Sequence, residues 1–212
     1  AETHNALGSL KQKQNAYKEA KTHYEESLRL RELLPDKVES EKKLRAQAIA
    51  QSLVSLGNLA QARAEVEKDE ETTADLYGEA LDALTKARQA YIDGFHQGHP
   101  KVAWALEGLA KVHRKRGDLR QAQERMGEAV AIRRALASSD ADKQMFRKEL
   151  DAAEAAQQEI ADKRSEVRGR LKNLTKGGAT GPSMMKLALA AKAAEAKGAE
   201  AESKSPSPEK EA

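Results

Sequence analysis

LEGLAKVHRKRGDLRQAQERMGEAVAI, residues 106–132, decides how this chain folds. As a charge pattern, its Lys and Arg residues form a basic stripe suited to phosphates. As a packing pattern, Leu109-Ala110 followed by Ala122, Met126 and Ala129 marks two helices lying against each other. Gly117-Asp118 separates the two periodic runs, and Gly readily ends a helix. Recurrence favours packing. A Leu followed by a small residue also occurs at Leu7-Gly8 and Leu56-Gly57, and the small–large–small triad recurs at Ala20, Tyr24, Ser27 and at Ala80, Leu84, Ala87. The interval between the two small residues is 12 positions from Gly8 to Ala20 and from Ala110 to Ala122, and 23 from Gly57 to Ala80, an insertion of 11. Small side chains let two helix backbones approach, and the large residue fills the remaining space. Such a hairpin cannot bury its apolar face alone, so it must stack on neighbours.

Composition agrees with helices. The 212 residues are one-third charged and 3% aromatic, and Lys+Arg 37 against Asp+Glu 34 leaves a net charge of only +3. Abundant Ala, Leu, Glu, Lys, Arg and Gln favour helix over strand. With no cysteine, there is no disulfide, thiolate nucleophile or thiolate metal site, which fits a reducing, cytoplasmic setting. No run approaches the roughly 18 apolar residues of a membrane span. The chain opens on AETHNALGSL, inside an amphipathic helix and without an initiator Met, and this reads as a trimmed or partial N-terminus.

The units resemble the tetratricopeptide repeat, best in residues 106–132 and nearly as well in HNALGSLKQKQNAYKEAKTHYEESLRL, residues 4–30. The connection GHPKVAWAL, Gly98 to Leu106, is similar to the His-Pro-x-Val-Ala joint of the kinesin light chain subclass. Leu56 and Leu109 are 53 apart, and removing the insertion leaves 42, that subclass's repeat length. Leu7 and Leu56 are 49 apart, so LPDKVESEKKL carries about seven extra residues. The resemblance implies an all-α solenoid of about three hairpins over residues 1–136, with units at about 1–35, 44–95 and 101–136. The insert ARAEVEKDEETT, residues 62–73, lies in a stretch of eight acids and two bases (61–82) and reads as an acidic, solvated lengthening of the second hairpin's tip.

A long charged helix follows over 137–175, with Phe146, Leu150, Ala153, Gln157, Ile160, Arg164, Val167, Leu171 and Leu174 recurring at alternating spacings of four and three. Its continuous helical pattern, from Asp142 to about Leu174, would extend about 50 Å at 1.5 Å per residue. Its start should cap the last repeat, and its far half should project as a lone helix or a coiled coil, allowing self-association through 142–174. Residues 176–212 are low in complexity and read as a disordered tail. Within that tail, Ser205-Pro206 and Ser207-Pro208 are candidate phosphorylation sites.

No catalytic grouping emerges, and neither a cofactor nor a metal is expected. His96 and His99 lack further ligands and sit in a connector; His4, His23 and His113 fall at packing positions; KGGATGPS (176–183) lacks the order of a phosphate loop. The resemblance instead implies a peptide groove lined by the first helix of each unit: Asn5, Gln12 and Lys13, then Gln51, Val54 and Asn58, then Trp104, Glu107, Lys111, Arg114 and Lys115. A basic wall beside an aromatic would suit a short acidic peptide. Kinesin light chains hold cargo partly through asparagines just before the Leu–small pair. Only Asn5 matches; Ala6, Val54, Ser55, Glu107 and Gly108 occupy the other such positions. The expected function is a non-enzymatic scaffold for partner proteins, in its specific form a cargo linker. The alternative is RNA association through the basic third unit, with nine bases against four acids over 101–136, and the basic end of the long helix.

Overall fold

The computed structural model describes residues 1–138 and 143–176, with side chains described for 1–138 and 147–172. It contains helices α1 (Glu2–Lys13), α2 (Tyr17–Glu32), α3 (Glu39–Val66), α4 (Glu70–Gly94), α5 (Pro100–Arg116), α6 (Leu119–Leu136) and α7 (Lys143–Lys176), and the described residues include no strand. Helices α1–α2, α3–α4 and α5–α6 form three hairpins stacked in chain order, with α7 laid across the last. The protein is an all-α solenoid with a long capping helix.

The repeating small residues are what let the hairpins close. Ala20, Ser27, Ala80, Ala87, Ala110, Ala122 and Ala129 are all fully buried, and the large residues between them, Tyr24, Leu84 and Met126, nearly so. Gly8 lies so close to α2 that a Cβ there would stand 2.7 Å from the Tyr24 ring. At Gly57 it would stand 2.8 Å from Leu84 Cγ. In the third unit Ala110 replaces glycine, opposite the slimmer and more pliable methionine in the matching position.

Stacking explains which other residues are covered. Leu59 and Val112, two places after the small residue in units two and three, are 1% and 0% exposed. Leu10 holds the same position in α1, where no described helix precedes it, and is 50% exposed.

Turn chemistry sets the helix ends. Asn15 takes a left-handed φ of 59° between α1 and α2, which Asn tolerates, and Gly117 takes φ 85° between α5 and α6. Asp69 caps α4 by accepting from the Thr72 amide at 2.8 Å. His99 caps α5 through Nδ1, which accepts from the Lys101 amide at 3.2 Å, and Pro100 supplies the first helical residue. The acidic insert is largely helical: α3 runs on to Val66 and α4 begins at Glu70. The extra residues before the second unit open α3, where Gln47 Nε2 donates to the Gly94 carbonyl at 2.7 Å and ties its start to the end of α4.

The junction between the first and second hairpins is polar at its centre. Ser27 and Ser52, both fully buried, share a hydrogen bond of 3.2 Å. Beside them Arg31, 4% exposed, donates to the Ala48 carbonyl at 2.8 Å and the Ser52 hydroxyl at 2.9 Å. The matching place in α6 is Arg133, whose guanidinium is held by the Glu107 carboxylate of its own hairpin.

Helix α7 turns its apolar seam toward α6, burying Ala153 and Ile160. The two polar interruptions of that seam are used within the chain. Gln157 lies against Gly127, and Arg164 Nη1 donates to Gln123 Oε1 at 2.6 Å. Arg134 pairs with Glu154 at 2.6 Å and Arg114 with Glu159. Contact therefore reaches Arg164, and the part of α7 standing clear is shorter than the expected half. The segment 177–212, with Ser205 and Ser207, lies outside the described residues.

Candidate functional site

Because each hairpin sets its first helix on the same side, α1, α3 and α5 together line a groove. It encloses about 450 Å³ between Gln12 of α1, Val54, Asn58, Gln61, Ala62 and Glu65 of α3, and Trp104, Glu107, Gly108 and Lys111 of α5, with Leu84 of α4 at its base. Six of the sequence-predicted residues meet here: Gln12, Val54, Asn58, Trp104, Glu107 and Lys111. Val54 is 3% exposed and forms floor, whereas Trp104 is 43% exposed and offers an open aromatic surface. Lys101 Nζ stands 5.7 Å from the centre of that ring, within range of a cation–π attraction. Gln12 accepts from the Tyr24 hydroxyl at 3.0 Å, which fixes its orientation at the groove edge.

The other five stand apart from this lining. Asn5 accepts from the Ser55 hydroxyl at 3.0 Å and is half-buried. Lys13 is the exposed last residue of α1. Gln51 faces the buried Arg31, whose Nη2 lies 3.4 Å from its Oε1. Arg114 turns to Glu159 of α7 and lines a second hollow of about 290 Å³ between α5, α6 and α7. Lys115 pairs with Glu65 at 3.3 Å.

These pairings redraw the electrostatics. Both arginine and lysine at the end of α5 have carboxylate partners, so the wall is less basic than the sequence suggests. Gln61 foremost, and then Lys115 and Lys111, hold the Glu65 carboxyl below the usual carboxylate range, so it remains an anion at the groove's end. Glu107 is committed to Arg133. Lys101 lies beside the Trp104 ring, and Lys111 lines the same groove.

Nothing in the groove pairs a nucleophile with a base. Among the described residues no group of three His, Cys, Asp or Glu side chains could hold a metal ion. His96 and His99 meet edge to face at 5.7 Å, and His99 is also stacked on Phe95 at 3.7 Å. His4 and His23 approach to 3.3 Å between Nδ1 atoms across the first hairpin.

Sequence reasoning missed Gln61, Ala62, Glu65, Leu84 and Gly108. Gly108 was legible only as the residue just before the Leu109–Ala110 pair; the structure adds that a Cβ there would meet Leu84 at 3.3 Å, the residue that also presses on Gly57. Glu65 was not, because it enters only through the lengthening of α3.

Residues 1–34 and 72–135 match sequence profiles described as the tetratricopeptide repeat. These two stretches are similar to the tetratricopeptide repeat, and together they span less than half of the 212 residues. The two matched stretches contain the first hairpin and most of the helices from α4 to α6; α3 falls between them. No curated protein matches the chain. Among solved structures, the crystal structure of BtubC (BKLC) from P. vanneervenii is similar at 18% identity, covering 85% of this chain and 83% of that one, with a TM-score of 0.31. No described helix is long and apolar enough to cross a membrane.

Proposed function

We propose that this chain is a non-enzymatic scaffold that holds an extended segment of a partner protein across α1, α3 and α5. The exposed Trp104, with Lys101 beside its ring and the buried Val54 and Leu84 below the groove, is the observation that carries the reading. An indole open to water next to a pocket offers a large, rigid contact area, the kind of anchor that dominates interfaces. Polar side chains of Gln12, Asn58 and Gln61 can pair with a peptide backbone. Lys101 and Lys111 favour a partner with a carboxylate near its anchoring residue, a preference expressed mainly in selectivity and association rate. The finer reading, linkage of cargo to a motor, rests on the His99-Pro100-Lys101-Val102-Ala103 joint alone, and the single asparagine match at Asn5 weakens it.

The RNA reading loses ground at the third hairpin. Arg114, Arg133, Arg134 and Arg125 are engaged by Glu159, Glu107, Glu154 and Glu128. A peptide library panned against the intact chain should return sequences with an apolar or aromatic anchor flanked by acids. Trp104→Ala should then weaken the selected peptide about tenfold or more, the loss of one hot-spot contact of roughly 2 kcal/mol. The helical circular dichroism signal should be unchanged. Loss of that signal would instead make Trp104 a structural residue, and retained affinity would move the site elsewhere.

A further inference from the structure

Two parts of the array run past the same edge, the one marked by the α5–α6 turn at Gly117-Asp118. Glu65, in the last turn of α3, pairs with Lys115 at the end of α5, so α3 reaches that edge there and the chain from Val66 onward passes it. Helix α4 begins at Glu70, ten residues before Ala80, whereas α6 begins at Leu119, three before Ala122. The seven additional residues are about 10 Å of helix. On the far side of the third hairpin, Arg164 of α7 bonds Gln123 near the start of α6, yet α7 continues to Lys176. It therefore extends about 12 Å beyond the start of α6.

The two projections are chemical opposites. Residues 66–75 hold five acids and one base, and 163–176 hold six bases and one acid. Each also exposes a valine, Val66 at 60% and Val167 at 42%. Val167 continues the seam that α6 covers as far as Ile160, so among the described residues the overhang is an apolar stripe that no other helix covers; Arg168, Lys172 and Arg170, which pairs with Glu166 of its own helix, rim it. Another basic overhang would be repelled by it. An acidic surface with an exposed apolar residue fits it, and the tip of the second hairpin has both. That tip cannot reach the overhang of its own chain, because α5 and α6 lie between them.

We propose that two copies of the chain pair about a twofold axis through the α5–α6 turn, the acidic tip of each docking on the basic α7 overhang of the other. The axis interchanges the two projections, so both contacts close together whatever the distance between them, as an isologous interface requires. This surface is separate from the peptide groove. Exposed charge pairs are individually weak and screened by salt, so the dimer is salt-sensitive.

Sedimentation equilibrium of the full chain tests this. At about 0.01 M salt, where the screening length is about 30 Å, the mass should be twice that of the monomer; at about 1 M, where it is about 3 Å, it should be that of the monomer. Reversing the overhang (Arg168→Glu, Arg170→Glu, Lys172→Glu) or the tip (Glu70→Lys, Glu71→Lys, Asp75→Lys) should give monomers. Mixing the two variants should restore a dimer, since one then brings two acidic projections and the other two basic ones. Wild-type protein that stays monomeric at low salt would overturn the proposal, as would a dimer indifferent to either reversal or variants that fail to pair on mixing. A monomeric chain that shifts a single-stranded RNA probe only with its overhang intact would make the overhang a nucleic-acid surface instead.

Discussion

Gly57 and Gly78 lie in the two helices of one hairpin and should answer the same substitution with opposite signs. A Cβ at Gly78 meets nothing within 4 Å, and the residue is exposed. Gly78→Ala should therefore raise stability by about 0.5–1 kcal/mol, the ordinary gain in helix propensity. At Gly57 the new methyl would press on Leu84, itself only 1% exposed. Overpacking costs about 1–3 kcal/mol and should outweigh the propensity gain, so Gly57→Ala should lower the melting temperature. Thermal melts of both variants decide it, and an equal rise in both would contradict the close-approach account. The sequence made this contact legible because Gly57 and Leu84 recur in register with Gly8 and Tyr24. It could not reveal that Glu107 is spent on Arg133 or Lys115 on Glu65. Those pairs depend on rotation and register between helices, and a residue's type alone does not encode either.

At the scale of the element, the cap of α5 ties helix formation to pH. Nδ1 of His99 must be unprotonated to accept from the Lys101 amide, and a cation there would face the positive end of the helix dipole. Burial, then the charges of His96 and Lys101, lower the His99 pKa from 6.5. Burial likewise lowers that of His113, against the opposing pull of Asp118. Its Nδ1 is buried without a hydrogen bond, 3.6 Å from the nearest Asp118 oxygen. Near and below pH 6.5 the unfolded chain takes up protons that the folded chain resists, so stability rises with pH across that window. It should be full above the unfolded value and fall as the pH drops through the lowered folded values. Melting temperatures at about pH 7.5 and about pH 5.5 should show the loss, and His99→Asn, which keeps a capping oxygen but does not titrate, should reduce it. An unchanged pH dependence in that variant would remove His99 from the account. The His-Pro pair was visible in the sequence as a connector; its capping role emerged only with the backbone geometry.

For the whole molecule, stability should be distributed by hairpin, because each repeat touches only its neighbours. Truncation after Ala141 removes α7 and uncovers the face of α6 that packs on Ala153 and Ile160. Amide exchange should then quicken in α5 and α6 while α1 and α2 keep their rates, measured by hydrogen–deuterium exchange with mass spectrometry. Uniform acceleration would mean that the array melts as one unit. The heptad pattern foretold the long α7. It did not foretell that Gln157 and Arg164, which look like flaws in a coiled-coil seam, are seats for Gly127 and Gln123.

The serine–arginine junction between the first two hairpins has a mechanical meaning. Hydrogen bonds such as Ser27–Ser52 and those of Arg31 exchange for water at a net cost near 1 kcal/mol each. Beside them this joint buries only the small cluster of Ala20, Tyr24 and Leu59, whereas parting the next joint bares the larger continuous core. Under tension applied at its ends, the rod should yield there first. A force-extension trace would record the leading hairpin peeling away as a discrete early step, before the remainder gives.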